Sequence, residues 1–345
     1  MRTRLEDIAA RAGVSVATVS RVVNGKTGVS DGTRRTVMAE LEALGYERPV
    51  GAARLRSGLV GLIVPELDNP IFPAFVQATE SALAAYGYTP LLCTASPVVQ
   101  EDEYVDVLLD RGVAGIVFIS GRHANIAVDH GRYHQLRAAG VPVVLVNGYV
   151  EGLDAPFVSA DDVEAMRTAM QHLHSLGHRR IGCAMGPERY VTSQRKVRGF
   201  REALPAGTDD GLVVHSVYSV QGGQAATETL LDLGVTAVVC GSDLMALGAI
   251  RAARARGLEV PRDVSVTGFD DSPLMAFTHP PVTTMRQDVA AMSQHAVDAL
   301  VDEIRGTPQP RRELLFHTEL VVRGSTGPAP AGPPRRSPRA RAGPG

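Results

Sequence analysis

The sequence predicts a small all-α head followed by an α/β core with two tandem parallel-sheet lobes. Three observations predict this fold class. Short amphipathic helices fill residues 1–47, two series of alternating apolar strands and helices follow residue 58, and 345 residues exceed one typical domain. An apolar content of 44% with 21% charged residues is typical of a globular chain with a sizeable core.

The first two predicted helices flank a glycine turn. Leu5, Ile8 and Ala12 have the spacing of one buried helical stripe. Gly13 supplies the left-handed residue that ends this helix, and Ser15 is a natural N-cap for the next one. Two short helices joined by a turn of this kind form a helix-turn-helix, the motif in which the second helix reads DNA.

The second helix has a composition suited to reading DNA. Its valines fall on one side, whereas the opposite arc is small, polar and basic: Val16 at the edge, then Ala17, Ser20, Arg21 and Asn24. A third amphipathic helix is predicted from Ser30 to Gly45. Arg34 and Arg35 lie in its first turn, where the helix dipole disfavours cations, and a nearby phosphate explains them better than helix stability does.

These residues resemble a known family. The run DIAARAGVSVATVSRVVNG at 7–25, followed by VS, TRR and LGY, is similar to the head of the LacI/GalR bacterial transcription regulators. The resemblance covers residues 3 to about 325. It implies a homodimer whose two heads read a pseudo-palindromic operator in double-stranded DNA. Val16 and Ala17 would face base edges, Arg21 would be the main hydrogen-bonding reader, and four residues would hold phosphates: Ser15, Thr18, Asn24 and Arg34.

A hinge is expected at 48–58, after the head at 1–47. In the family this segment becomes a helix on DNA, and a leucine from it wedges into the minor groove. Leu55 matches that wedge. The sequence departs from the family pattern in having two residues between Tyr46 and Pro49, and its connector to the core is a few residues shorter.

The core, residues 59–324, alternates strands and helices. Strands are predicted at 59–64, 89–94, 115–120, 141–147, 180–185, 212–218, 236–241 and 264–269. Helices are predicted near 73–86, 100–110, 130–139, 162–176, 194–204, 222–233, 243–256 and 288–305. Strands that are apolar on both faces and separated by helices predict parallel sheets covered on both sides.

The resemblance implies that this core has the form of periplasmic sugar-binding proteins, with three crossovers and a ligand cleft between the lobes. The N-lobe is expected at about 59–158 and 289–318, and the C-lobe at about 159–287 and 319–324. The remaining residues, 325–345, are rich in Pro, Gly and Arg, so we expect a disordered tail.

Charge and cysteine usage point to a DNA-binding head in a reducing compartment. Residues 1–58 carry a net charge of +4, the tail carries +4, and the rest carries −10. Cys93, Cys183 and Cys240 are far apart and predicted to be buried free thiols. The chain opens without a secretory signal and has no long apolar run, which predicts a cytoplasmic protein that does not span a membrane.

Ligand contacts are expected just beyond the carboxyl ends of the strands. The family motifs assign the effector-binding acid to Asp270, the stacking aromatic to Tyr218 and the lid to Ile71 and Phe72. Lys196 stands where the family usually has an arginine, and lysine lacks the planar fork that grips a carboxylate or a diol. Three more positions contact ligand in some members: Asn147, Ser242 and Gln287.

The sequence shows no case for catalysis, a metal or a cofactor. His172 and His174 diverge on a helix, and Gly177 should end that helix before His178, so surface histidines are expected rather than a metal site. Nucleotide-binding, hydrolase and metalloprotease motifs are absent from the sequence. Asp161–Asp162 and Asp270–Asp271 are better explained as caps and ligand contacts than as an acid/base dyad.

The sequence therefore predicts an operator-binding regulator, a repressor of sugar-utilisation genes released by a small carbohydrate. Three alternatives stay open. The effector is a purine or nucleoside acting as a corepressor, the chain is a sugar-binding protein without a regulatory role, or it is an α/β enzyme fused to a DNA-binding module.

Overall fold

The computed structural model describes residues 5–23, 29–43, 58–95, 100–205, 212–307 and 312–331. The chain divides into two compact units, Met1–Ser57 and Gly58–Gly345. The predicted phosphate contact Asn24, the wedge Leu55 and the hinge up to residue 57 lie outside the described residues. None of the helices in the described ranges is long and apolar enough to cross a membrane.

The head contains the three predicted helices: α1 (Leu5–Ala12), α2 (Val16–Val23) and α3 (Asp31–Ala43). Their core is small and fully apolar, and Ile8, Val19 and Val37 are completely buried in it. Gly13 has a φ of +64°, which places the turn between α1 and α2 in the left-handed region. Ser15 caps α2, because its Oγ accepts from the amide of Thr18 at 3.1 Å.

The N-lobe contains a six-stranded parallel sheet in the order β11-β5-β4-β3-β1-β2. Its strands are β1 (Leu59–Val64), β2 (Thr89–Thr94), β3 (Ile116–Ile119), β4 (Val143–Val146), β5 (Phe157–Ala160) and β11 (Glu313–Phe316). Its helices are α4 (Ile71–Ala85), α5 (Glu101–Asp110), α6 (Gly131–Ala138) and α11 (Val289–Arg305). The sheet is covered on both faces, which explains why β3, β4 and β5 are buried along their whole length.

The C-lobe repeats this plan with the order β12-β10-β9-β8-β6-β7. Its strands are β6 (Ile181–Met185), β7 (Val213–His215), β8 (Ala237–Cys240), β9 (Ser265–Asp270), β10 (Thr283–Arg286) and β12 (Glu319–Val321). Its helices are α7 (Asp162–Ser175), α8 (Val191–Glu202), α9 (Val220–Asp232) and α10 (Asp243–Ala255). β12 runs antiparallel to β10, and the other strand pairs of this sheet are parallel.

The chain passes between the lobes three times: after β5, after β10 and after β11. Strand β5 was not predicted, and it extends the first N-lobe segment to Ala160 rather than to about 158. β5 contains Ser159 among its four residues, so it lacks the continuous apolar run that marks the equally short β3, β4 and β8. Cys93 is half-buried rather than buried, whereas Cys183 and Cys240 are buried as expected, and all three are free thiols.

The expectation of a disordered tail from residue 325 is wrong for its first residues. Ser325 is completely buried, and its Oγ accepts from the amide of Thr283 at 2.8 Å and donates to the carbonyl of Val266 at 2.6 Å. The amide of Ala329 donates to the carbonyl of Leu176 at 2.8 Å. These bonds use small polar and backbone groups, which a composition argument based on apolar content does not detect. Residues 332–345 lie outside the described part.

Candidate ligand cleft and DNA-reading helix

A cavity of about 350 Å³ lies between the two lobes of the core, beyond the carboxyl ends of their strands. The structure brings all eight predicted effector contacts to its wall: Ile71, Phe72, Asn147, Lys196, Tyr218, Ser242, Asp270 and Gln287. Residues as far apart in the chain as Ile71 and Gln287 therefore converge on one cavity. The reason is topological, because parallel strands in both lobes end at the cleft.

Asp270 and Gln287 lie side by side in the wall of the cavity. Asp270 is the last residue of β9, has a φ of +116° and accepts at Oδ1 from Gln287 Nε2 at 2.7 Å. Gln287 is 8% exposed, and its buried Oε1 accepts no hydrogen bond from the described part of the chain. Because an unpaired buried acceptor is costly, this oxygen is suited to accept a hydrogen bond from a ligand hydroxyl.

Burial raises the pKa of Asp270 well above its ordinary value, and the charge of Asp243 adds to this effect. Asp243 is itself completely buried at the start of α10 and accepts from the amide of Ser272 at 2.7 Å and the hydroxyl of Thr284 at 2.6 Å. Burial raises the pKa of Asp243 to about 6. The two carboxyls therefore form one interacting pair, with Asp270 in the cavity wall and Asp243 behind it.

Lys196 projects from α8 into the cavity wall and is 6% exposed. Its ammonium lies 3.3 Å from the carboxylate of Asp162 and 3.6 Å from the centre of the Phe269 ring. Burial disfavours the ammonium, but the negative groups around it, above all Asp162, raise the pKa of Lys196 overall. The lysine is therefore charged and held in place by two neighbours.

Tyr218 lines the cavity and lies across the ends of β6 and β8. Its hydroxyl is 2.8 Å from the Oγ of Ser193. The ring occupies space that only a glycine leaves open, because a Cβ on Gly186 would lie 2.0 Å from it. Gly241 clears the other side, where a Cβ would lie 3.1 Å from the ring.

Asn147 and Ser242 line the cavity, but each also serves the backbone. Asn147, with a φ of +57°, accepts at Oδ1 from the amide of Ala160 at 3.3 Å. Ser242 caps α10, since its Oγ accepts from the amide of Met245 at 3.3 Å. Both side chains thus keep only part of their hydrogen-bonding capacity for a ligand.

Asp162 is the cavity residue that sequence reasoning assigned to another role. It was interpreted as a helix cap, yet Asp161 caps α7, with its Oδ1 accepting from the amide of Glu164 at 3.1 Å. Asp162 is 3% exposed and lines the cavity. The sequence feature that could have indicated this role is the position of Asp162 just after β5, but that strand was not predicted. Eight further polar or aromatic residues line the cavity: Glu66, Asn69, Phe75, Ser120, Arg189, Tyr190, Thr192 and Phe269.

Two bridges join the lobes beside the cavity. The guanidinium of Arg195, on α8, makes two parallel hydrogen bonds of 2.6 and 2.7 Å with the carboxylate of Glu313, on β11. Asn125 pairs with Tyr190 as an isolated antiparallel bridge, and the amide of Ile126 donates to the carbonyl of Arg189 at 2.8 Å.

His172, His174 and His178 do not form a metal-binding cluster in the part of the chain that the structure describes. His178 is completely buried, contrary to the expectation of a surface side chain, and its Nε2 lies 3.0 Å from the Oγ of Ser265 and 3.1 Å from the carbonyl oxygen of Gly327. Its Nδ1 is 2.9 Å from the Oγ1 of Thr236. No group of three or more potential metal ligands occurs within the described ranges.

In the head, α2 presents the predicted face. Val16 is 42% exposed, and Ala17 and Arg21 are also exposed, whereas Val19 and Val22 are buried. The other predicted phosphate contacts are positioned at helix starts: Ser15 and Thr18 at α2, and Arg34 at α3. A rigid, capped helix with a small, basic exposed face has the shape and charge of a major-groove reader.

The fold combines a helix-turn-helix head with a two-lobed core that holds a cavity between its lobes, which is the architecture of a regulator with a DNA-binding head. A family model described as bacterial regulatory proteins of the lacI family matches residues 4–48, and one described as a periplasmic binding protein-like domain matches residues 170–326. The chain is 58% identical over 338 residues to the HTH-type transcriptional regulator MalR of Streptomyces coelicolor, covering 96% of this chain and 98% of that protein.

Two solved structures are similar over most of the chain. The transcriptional regulator CelR–cellobiose complex is 34% identical, with a TM-score of 0.70 and coverage of 94% of this chain and 100% of that one. The lac repressor dimer bound to operator and the anti-inducer ONPF is 27% identical, with a TM-score of 0.68 and coverage of 95% and 100%. The chain belongs to the LacI family of bacterial regulatory proteins, and it is a DNA-binding transcriptional regulator rather than an enzyme.

Proposed function

We propose that this regulator represses sugar-utilisation genes and that a small carbohydrate in the cleft releases it from DNA. The observation that carries the proposal is the cavity wall, where carboxylates, an unpaired amide oxygen and an ammonium surround aromatic rings. Sugar hydroxyls both donate and accept hydrogen bonds, and the apolar face of a sugar ring packs on an aromatic side chain.

The cavity volume of about 350 Å³ lies at the lower end of the range for small-molecule sites, which fits a mono- or disaccharide. The cellobiose bound to the similar CelR structure supports this size class. A purine or nucleoside corepressor is the alternative, since Tyr218 would also stack on a base.

On DNA, we propose that a homodimer places its two α2 helices in successive major grooves of a pseudo-palindromic operator. Val16 and Ala17 face base edges, and Arg21 donates to them. Ser15, Thr18, Asn24 and Arg34 hold phosphates, and Leu55 wedges into the minor groove. The operator-bound dimer of the similar lac repressor supports this arrangement.

Release requires the effector to distinguish the two states of the regulator. To weaken operator binding about a hundredfold, the effector must bind the released state more tightly by about 2.7 kcal/mol. A change in the angle between the lobes is the proposed means, since the ligand touches both of them.

The proposal is tested by binding the purified protein to its own upstream DNA at fixed salt, with mono- and disaccharides and purines added in turn. We expect a specific complex with the DNA, and we expect one disaccharide to dissociate it. A complex that forms only with a purine would move the protein to the corepressor class, and no specific complex under any condition would refute the DNA assignment.

A further inference from the structure

The charges around the cavity restrict what it can bind. Three carboxyls line it, Glu66, Asp162 and Asp270, against two cations of the described chain, Arg189 and Lys196. A ligand that carries negative charge needs a cation or several free N–H groups to replace its water, because burying an unpaired anion is very costly. The availability of the two cations therefore decides the charge of the ligand.

Lys196 is already neutralised. Its ammonium and the Asp162 carboxylate are 3.3 Å apart, with side chains only 7% and 3% exposed, so the pair is held where water does not screen it. The Phe269 ring covers another side of the ammonium at 3.6 Å. The lysine keeps N–H donors for a neutral acceptor, but the pair presents no net positive charge.

The neighbouring arginines do not replace it. Arg195 donates two guanidinium N–H groups to the carboxylate of Glu313, on strand β11 of the N-lobe. Arg189 is exposed, with its guanidinium 5.0 Å above the ring of Tyr190, where solvent screens its charge. In the described cleft, an anion would thus meet carboxylates without a free buried cation.

We infer that the effector is an uncharged sugar rather than a sugar phosphate or sugar acid, and that Asp162 sets this preference by occupying Lys196. This inference rests on the proposed sugar-responsive function. Hydroxyl groups donate to the carboxyls of Asp162 and Asp270 and accept from Lys196, which no anionic group can do at all of these positions. Asp162 is thereby a specificity-determining residue.

The test compares neutral and phosphorylated sugars on the same protein. Calorimetric titrations use maltose, cellobiose and glucose, each paired with its 6-phosphate, on the full chain and on Asp162→Asn. The wild type should bind a neutral sugar at least tenfold more tightly than its phosphate. In Asp162→Asn this ratio should shrink at least tenfold, because Lys196 regains a net charge while the isosteric amide keeps the cavity shape. The ratio is independent of the fraction of protein that folds.

Asp161→Asn is the matched control. It removes the same charge one residue away, at a cap that asparagine fills equally well, and should leave the ratio as in the wild type. An equal shift in both variants, or none in Asp162→Asn, would overturn the role of Asp162. If a phosphorylated sugar binds best and dissociates the operator complex, the preference for a neutral sugar is wrong, but the proposed sugar-responsive function stands. If no sugar of either kind binds, the proposed function falls with it.

Discussion

At the scale of single residues, the cleft depends on side chains that are absent as much as on those present. Gly186→Ala places a Cβ 2.0 Å from the Tyr218 ring, so the ring must move out of the cavity wall. We expect sugar affinity to fall about tenfold, which corresponds to about 1.4 kcal/mol. Titration of the effector measures this effect. In a Tyr218→Ala background the same change should cost little, and equal losses in both backgrounds would contradict the explanation.

His123 is expected to make the stability of the protein depend on pH. It is completely buried, and burial lowers its pKa to about 3. Below about pH 6.5 the unfolded chain takes up a proton that the folded chain refuses, so this residue makes the protein less stable as the pH falls towards 3. Glutamine carries no such proton. The stability deficit of His123→Gln relative to the wild type should therefore shrink by about 1.6 kcal/mol between pH 6.5 and 5. Denaturant titrations at the two pH values measure the deficit, and a constant deficit would contradict the prediction.

At the scale of elements, α2 is the part of the head that reads sequence. Arg21→Ala removes its exposed guanidinium and should weaken specific operator binding by about 1–3 kcal/mol while sugar affinity stays the same. Gel-shift titration against operator and unrelated DNA at one salt concentration measures it. Arg11→Ala removes the same charge from α1, where the side chain pairs with Glu40 at 2.8 Å, and should lower both DNA affinities alike. Equal behaviour of the two variants would refute α2 as the reader.

The link between α8 and β11 is the second element-scale feature. Glu313→Gln breaks the paired hydrogen bonds to Arg195 across the lobes and leaves a half-buried guanidinium without its charge partner. We expect sugar affinity to fall about tenfold, because the arrangement that surrounds the ligand loses this support. Glu319→Gln is the control, since its ion pair with Arg286 lies within the C-lobe sheet and is exposed. An equal loss in the control would mean that the charge, not the bridge, matters.

At the scale of the whole molecule, much of the fold and cleft could be predicted from sequence. The eight predicted contacts meet because strand ends in a parallel sheet share one edge, and that rule needs only the order of strands and helices. Asp270 and Tyr218 were identified in this way together with the family motifs. The separation of the basic head from the acidic core was likewise visible in the sequence.

The missed features share a physical cause. Strand β5, the burial of His178 and the anchoring of Ser325 depend on contacts between residues far apart in the chain, and no local period reports them. The pairing of Asp162 with Lys196 is of the same kind. A sequence shows which residue types are available, but a buried polar pair is defined by what surrounds it.

The two bridges beside the cavity should also limit the rate at which a sugar binds. We predict that Arg195 and Glu313 part and the pairing at Tyr190 opens before a sugar reaches the wall, because both contacts join the two lobes beside the cavity. Entry is then gated, and the observed association rate should level off at high sugar concentration at the rate of lobe opening. Stopped-flow mixing would show this plateau, which Glu313→Gln should raise. A rate that rises linearly throughout would mean that the bridges do not gate entry.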